Sequence, residues 1–335
     1  MKRPTIKDIA KECGISIATV SYVINGKYDK VSEEKIKLVN DTIEEIGYVP
    51  SMNAQSLVGK GSKLIGVIIP QLEVTEKMIF TNPFYSEFIA GIEYYLRKHG
   101  YSIVLSVLNQ DKGYEDMLIK WNLDAAIIFG LDEHIKLTNI KKVSIPIVLI
   151  DSYVNDDNYF RLNINDEEAS YIATEFLIKE GHKKVALVTG VLSGYGVLHE
   201  RYLGYKRALK EYNIPFDERL VIQGDITYEH GVKSAADIVN KVEATAAVAT
   251  ADIIAVGLVN GFKMSDKNVP KDYSVIGFDD TYLASIFHPK LTTIHQDISK
   301  RGELAGEVII NIINGKQRER NICTKTKLII RETTK

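Results

Sequence analysis

Cysteine is scarce. Cys13 and Cys323 are the only two in 335 residues, and they lie at opposite ends of the chain. That pattern excludes a disulfide framework and fits buried or incidental thiols in a reducing compartment. Long apolar runs are missing too. None approaches the roughly 18 residues of a membrane span, so no contact with a membrane is expected. The N-terminus, MKRPTIKDIAKECG, opens on charge but has no apolar stretch behind it. It therefore does not read as a secretory signal, and the chain is expected to stay in the cytoplasm.

A strong excess of one charge is also lacking. Forty-two Lys and Arg face 44 Asp and Glu, a net charge of −2 that does not advertise nucleic-acid binding. Its distribution says more, because residues 1–31 hold six Lys/Arg against three Asp/Glu. The seven histidines are scattered, and no Ser/His, Cys/His or metal-ligand spacing occurs. Neither a metal nor a cofactor is expected, nor an enzyme. GKGSK at 59–63 lacks the first glycine and the following helix of a phosphate loop, so it reads as linker.

What the first fifty residues do contain is a helical pattern with local stops. Ile6, Ile9, Ala10 and Cys13 recur at helical spacing, and Gly14 follows where a left-handed turn is cheapest. Ser16 then offers an N-cap for a second helix from Ile17 to about Asn25, closed by Gly26. Two short helices around a tight Gly-containing turn form a helix-turn-helix. A third helix starts at Ser32, with Glu33 and Glu34 in its first turn and Ile36, Val39, Ile43 and Ile46 as its buried stripe. Gly47 and Pro50 end it.

In a helix-turn-helix the start of the second helix meets base edges in the major groove. Val20, Val23 and Ile24 fall on its inward face, while Ile17, Ala18, Ser21 and Tyr22 fall outward. An outward isoleucine and alanine suit thymine methyls, and Tyr22 adds a hydrogen bond or a ring contact. Thr5, Ser16, Thr19 and Asn25 are short polar groups suited to phosphates.

The segments TIKDIAKECGISIATVSYVING and VSEEKIKLVNDTIEEIGYVPSMNAQSL resemble the LacI/GalR family of bacterial regulators, without a gap across the whole head. The resemblance implies sequence-specific DNA binding. It also implies that residues 51–63 become a helix on the operator, with Leu57 wedged into the minor groove and Ala54 allowing close approach of the paired helix. Such a wedge unstacks a base step and kinks the duplex. Relatives often carry arginine where this chain has Tyr22, so its operator sequence cannot be borrowed from them. Where they often have asparagine, this chain has Ser51, which can still cap.

From residue 64 on, apolar runs alternate with amphipathic helices. LIGVII, SIVLSV, AAIIF and PIVLI read as buried parallel strands, and KVALVTG, TAAVAT and DYSVIGF continue the series. Such alternation implies doubly wound sheets with helices on both faces, and a stretch of this length implies two lobes. Ligands of such sheets sit beyond the carboxyl ends of the strands.

GHKKVALVTG, ERYLGYKRAL, SVIGFDD and HPKLTTIHQD resemble the sensor of the same family, similar in fold to periplasmic sugar-binding proteins. The implied division is a head at 1–50, a hinge at 51–63, and a sensor at 64–335. The first lobe covers about 64–162 and 294–322, and the second about 163–293 and 323–335. The implied effector contacts are Phe84, Tyr85, Asp151, Tyr195, Arg201, Ile226, Asp252 and Asp279. Relatives often have asparagine where this chain has Ala251, and QLEVTEKMIFTNPFY is longer than the usual loop.

The expected protein is a homodimeric repressor of sugar-utilisation genes. It binds a near-palindromic operator, and a sugar between its lobes changes that affinity. No leucine heptad precedes Thr334-Lys335, which favours a dimer over a tetramer. Two alternatives stand beside it. One is a corepressor-dependent regulator, sensing a purine or a phosphocarrier protein. The other is a sugar-binding protein or enzyme with an incidental head.

Overall fold

Thr5 starts the first helix, α1 (Ile6–Glu12), by donating its backbone N–H and its hydroxyl to the Asp8 carboxylate at 2.7 and 2.6 Å. An acid in the first turn also suits the helix dipole. Gly14, at φ 64°, turns the chain in the left-handed region. Ser16 then caps α2 (Ile17–Ile24), its Oγ accepting the Thr19 N–H at 3.1 Å. A 3₁₀ turn, Tyr28–Lys30, leads to α3 (Glu33–Ile46), which ends on left-handed Gly47. Ile9, Ala10, Val20, Val23, Val39 and Tyr48 form a small core, with Ile24, Ile36, Ile43 and Ile46 packed around it. These helices belong to the first of two compact units, Met1–Ser62; the second is Lys63–Lys335. The computed structural model describes residues 4–48, 61–70, 79–108, 118, 120–130, 144–154, 156, 158–317 and 319–335.

Two parallel sheets make up the second unit. The first contains β1 (Leu64–Pro70), β2 (Ser102–Leu108), β3 (Ala125–Phe129), β4 (Ile147–Ile150), β5 (Phe160–Ile164) and β11 (Asn321–Thr324), in the order β11-β5-β4-β3-β1-β2. The second contains β6 (Val185–Gly190), β7 (Val221–Gly224), β8 (Ala246–Ala249), β9 (Ser274–Asp279), β10 (Thr292–His295) and β12 (Lys327–Ile329), in the order β12-β10-β9-β8-β6-β7. Every described pairing is parallel except β10 with β12.

The central strands are buried on both faces, which is why they read as unbroken apolar runs. Val67, Ile127 and Val148 face one side of the first sheet, and Ile68, Ile128 and Leu149 the other. In the second sheet Val188, Ala247 and Val275 oppose Leu187, Val248 and Ile276.

Helices cover these faces: α4 (Pro83–Lys98), α5 (Asp166–Lys179), α6 (Gly196–Glu211), α7 (Tyr228–Asp237), α8 (Asp252–Met264), the short α9 (Tyr282–Ile286) and α10 (Ile298–Ile313). They pack in pairs through glycine. A Cβ on Gly91 of α4 would lie 2.2 Å from the Ser299 carbonyl oxygen, and one on Gly302 of α10 would lie 2.2 Å from that of Phe88. Backbone cannot yield as a side chain can. Gly91→Ala is therefore expected to destabilise the sensor by about 1–3 kcal/mol or more, the usual cost of overpacking. Chemical denaturation of the variant checks this.

The chain changes sheets three times. It leaves the first sheet after β5 and enters α5, which packs on the second-sheet core. It returns after β10 into α10, which packs on the first-sheet core. Lastly it passes from β11 to β12. Each change places a polar segment at a boundary between lobes, and there the site is built.

Candidate functional site

Helix α2 carries no charged residue. Its outward side is apolar and hydroxylic: Ile17 is 46% exposed, Ala18 is exposed, and Ser21 and Tyr22 are half-buried. Val20 and Val23 are buried inward. The polar neighbours are partly committed to the fold. The Thr5 hydroxyl is held by Asp8, and Ser16 Oγ lies 2.9 Å from Thr19 Oγ1. Asn25 Nδ2 turns back to donate to the Ser21 carbonyl at 2.8 Å. The ammonium of Lys30, brought by the 3₁₀ turn, stands 5.5 Å from the Tyr22 ring centroid.

In the second unit, Arg201 of α6 and Asp279 at the end of β9 come together, 3.9 Å apart. Both are buried, and Asp279 has a left-handed φ of 113°. Arg201 donates from Nε to Asp166 at 2.8 Å and from NH1 to the Thr250 carbonyl at 2.6 Å, with its guanidinium over the Phe278 ring. Asp279 accepts from Gln296 Nε2 at 2.6 Å. Burial pushes the Asp279 carboxyl well above the ordinary carboxylate range, against the pull of Arg201. Burial raises Asp166 as well, with Arg201 again opposing.

Phe84 and Tyr85, half-buried at the start of α4, meet edge to face at 5.4 Å, and Tyr85 meets Phe129 at the end of β3. Asn82 caps that helix by accepting the Phe84 N–H at 3.1 Å. Glu87, one turn along, accepts the Tyr282 N–H at 2.9 Å, a direct bond between the lobes. Asp151 sits in the left-handed region after β4 and forms an ion pair with Arg301. Tyr195 precedes α6, and Ile226 packs on the second-sheet core beside Gly190.

Asp252 is differently employed. Its carboxylate accepts from the Thr281 N–H at 2.7 Å, the Thr281 hydroxyl at 3.0 Å and the Thr293 hydroxyl at 2.6 Å. Burial pushes its carboxyl up to about 7 against these donors. The side chain thus ties α8 to β10 and to the loop after β9, a structural role.

Residues 5–51 match the family described as bacterial regulatory proteins, lacI family, and residues 174–334 match a periplasmic binding protein-like domain. The HTH-type transcriptional repressor PurR of Vibrio atlanticus (strain LGP32) is 33% identical over 337 residues, 98% of each chain. The chain belongs to the LacI family. It is a DNA-binding transcriptional repressor of that family, not an enzyme. Two solved structures are similar over its length. The lac repressor dimer bound to operator and the anti-inducer ONPF is 26% identical at a TM-score of 0.81, covering 99% of each chain. The transcriptional regulator CelR–cellobiose complex is 25% identical at 0.72, covering 99% of this chain and 100% of that one.

Set in the LacI family, the head and the paired lobes take up their expected kinds of architecture. The hinge residues Ala54 and Leu57 lie outside the described residues. Sequence reasoning did not single out Tyr153, Asp166, Gln296 or Arg301, which hold Arg201, Asp279 and Asp151 in place. The available signal was position, since Asp166 stands two residues and Gln296 one residue after a strand that leads to the other lobe. Among the described residues no group of three His, Cys, Asp or Glu is placed to hold a metal ion, and no helix is long and apolar enough to cross a membrane.

Proposed function

We propose that this repressor responds to a carbohydrate bound between its lobes, and that the bound sugar weakens its hold on a near-palindromic operator. One observation carries the reading: Arg201 and Asp279 meet at the carboxyl ends of the second sheet, with the aromatic pair Phe84 and Tyr85 contributed by the first lobe. A paired arginine and carboxylate offer donors and acceptors to neighbouring hydroxyls, and an aromatic ring covers the apolar face of a pyranose. The cellobiose bound to CelR supports the same class of ligand.

The division into a head at 1–50, a hinge at 51–63 and a sensor at 64–335 belongs to this proposal. So do the two lobes, about 64–162 with 294–322 and about 163–293 with 323–335. The remaining effector contacts, Asp151, Tyr195 and Ile226, surround the same cleft, with Asp252 behind it. On DNA, Ile17, Ala18, Ser21 and Tyr22 face base edges, and Thr5, Ser16, Thr19 and Asn25 contact phosphates. Ala54 and Leu57 act in the minor groove. A homodimer presents two such heads to two half-sites, an arrangement supported by the lac repressor dimer on its operator.

A thermal-shift screen tests the ligand class, with ribose, glucose, lactose and cellobiose against hypoxanthine and guanine. A ligand at 100 times its Kd stabilises by about 2.7 kcal/mol, which for a unit of this size raises Tm by roughly 5–10 °C. A sugar is expected to do so, and a response to the purines alone contradicts the reading. The likeness to the repressor PurR favours a second one, in which the ligand is a purine; a purine acting as corepressor would strengthen operator binding.

A further inference from the structure

We infer that Arg301 is a positioning residue that couples the two lobes: it holds Asp151 of the first and, through Gln296, orients Asp279 of the second. The inference rests on the proposed reading of the lobes as an allosteric sensor.

Arg301 lies in α10, where it follows Lys300 and reads as one more cation on a helix surface, yet only 2% of it is exposed. Its guanidinium forms an ion pair with Asp151 and donates from NH1 to Gln296 Oε1. It stands above the Phe88 ring, 5.3 Å from the centroid. Gln296 is itself 1% exposed, and its Nε2 passes the contact on to Asp279. From Asp279 the chain of contacts runs to Arg201, then Asp166, and ends at the Tyr153 hydroxyl, 2.7 Å from Asp166. Tyr153 and Asp151 share the loop after β4, so the contacts close into a ring.

The ring passes through each lobe once and crosses between them at two of the three chain passages. Asp166 opens α5 two residues after β5, and Gln296 follows β10. A rotation of one lobe on the other must stretch this ring at its two crossings, Gln296–Asp279 and Tyr153–Asp166. As a packing element Arg301 is a poor choice. A buried charge pair stabilises no more than well-packed apolar residues would, and removing one partner strands the other. Its geometry is better matched to a planar fork that grips a carboxylate and an amide together.

Four variants of the full chain test this: Gln296→Leu, Arg301→Met, the double variant, and Arg301→Lys. The probe is the DNA duplex that the unaltered chain selects from a random pool, titrated by fluorescence anisotropy without effector, well below each Tm. Gln296→Leu leaves the Asp151–Arg301 pair intact and so keeps the test usable if Arg301→Met folds poorly. The proposed reading takes the lobe arrangement that this ring holds as the operator-binding one, so each single variant is expected to weaken operator binding by about 5- to 30-fold, the range of allosteric couplings. The double variant is expected to lose no more than about twofold beyond either single one, because both break one path. Lysine grips one partner at a time, and Arg301→Lys should restore part of the affinity.

Unchanged affinity beside a lowered Tm would make Arg301 merely structural and overturn the inference. So would single losses that multiply in the double variant. Equal gains in affinity across the three variants would keep the coupling and instead contradict the sugar-induced release proposed above.

Discussion

Ile17→Asp is expected to weaken operator binding by about 100-fold or more while leaving the head folded. Ile17 is the first residue of α2 and is 46% exposed, so its replacement removes little from the core. An acid at that position favours the helix dipole by about 0.3–1 kcal/mol, so the head should melt no lower. On DNA the balance reverses. The methyl contact with a base edge is lost, at a cost comparable to one mismatched base pair, about 1–3 kcal/mol, and a negative charge enters a field of phosphates. In a dimer both losses occur twice. Anisotropy with the selected duplex, beside circular dichroism, separates the two effects. Retained affinity would place the start of α2 away from the bases. The Lys30–Tyr22 contact then becomes the better guide to what touches DNA, because it brings a cation to an otherwise uncharged helix.

Arg201→Met is expected to cost about 3–5 kcal/mol of sensor stability, the penalty for stranding a buried charge. Asp166, fully buried, would lose its cation, and the Thr250 carbonyl would lose its donor. The loss should depend on pH. Burial already raises the Asp166 carboxyl above its unfolded value, and removing Arg201 takes away the main opposing influence. The folded state then holds a proton that the unfolded chain releases. Stability contributed by that protonated form is present in acid and is lost as the pH rises through the folded value. The variant should therefore fall furthest behind the unaltered protein at neutral and alkaline pH.

Replacing both partners, Arg201→Met with Asp166→Leu, should recover much of the stability, since an apolar pair can replace a buried ion pair. The double variant should still fail to respond to sugar. Recovered stability with an intact response would move the effector away from Arg201.

How far these sites could be read from the residues depended on whether their causes were local. The head was legible because each boundary is set within a few residues: Thr5 with Asp8, Ser16 with Thr19, and left-handed Gly14 and Gly47. The 3₁₀ turn at Tyr28–Lys30 was not, having neither a cap nor an apolar period. The central strands announced themselves as apolar runs. Strands β11 and β12 did not, because each is short, lies at a sheet edge and has no buried residue, only exposed and half-buried ones.

The candidate site was half legible. Arg201 and Asp279 stand in recognisable segments and do meet. Asp252 occupies an equally suggestive place at a strand's carboxyl end, yet three donors from Thr281 and Thr293 consume its carboxylate. Only the folded chain reveals that competition. Arg301 is the opposite case. It pairs with Asp151 across half the sequence, and only the passage of α10 back to the first lobe brings the two together.

The measurement closest to the centre of this account is operator affinity with and without the sugar that most raises the thermal stability of the full chain. Fluorescence anisotropy at physiological salt, with the sugar at 100 times its Kd, reads it directly. Differential binding to two lobe arrangements predicts at least about tenfold weaker binding with sugar present, within the usual range of such couplings. Equal affinity in the two conditions would mean that the cleft binds sugar without speaking to the DNA, and would contradict the account.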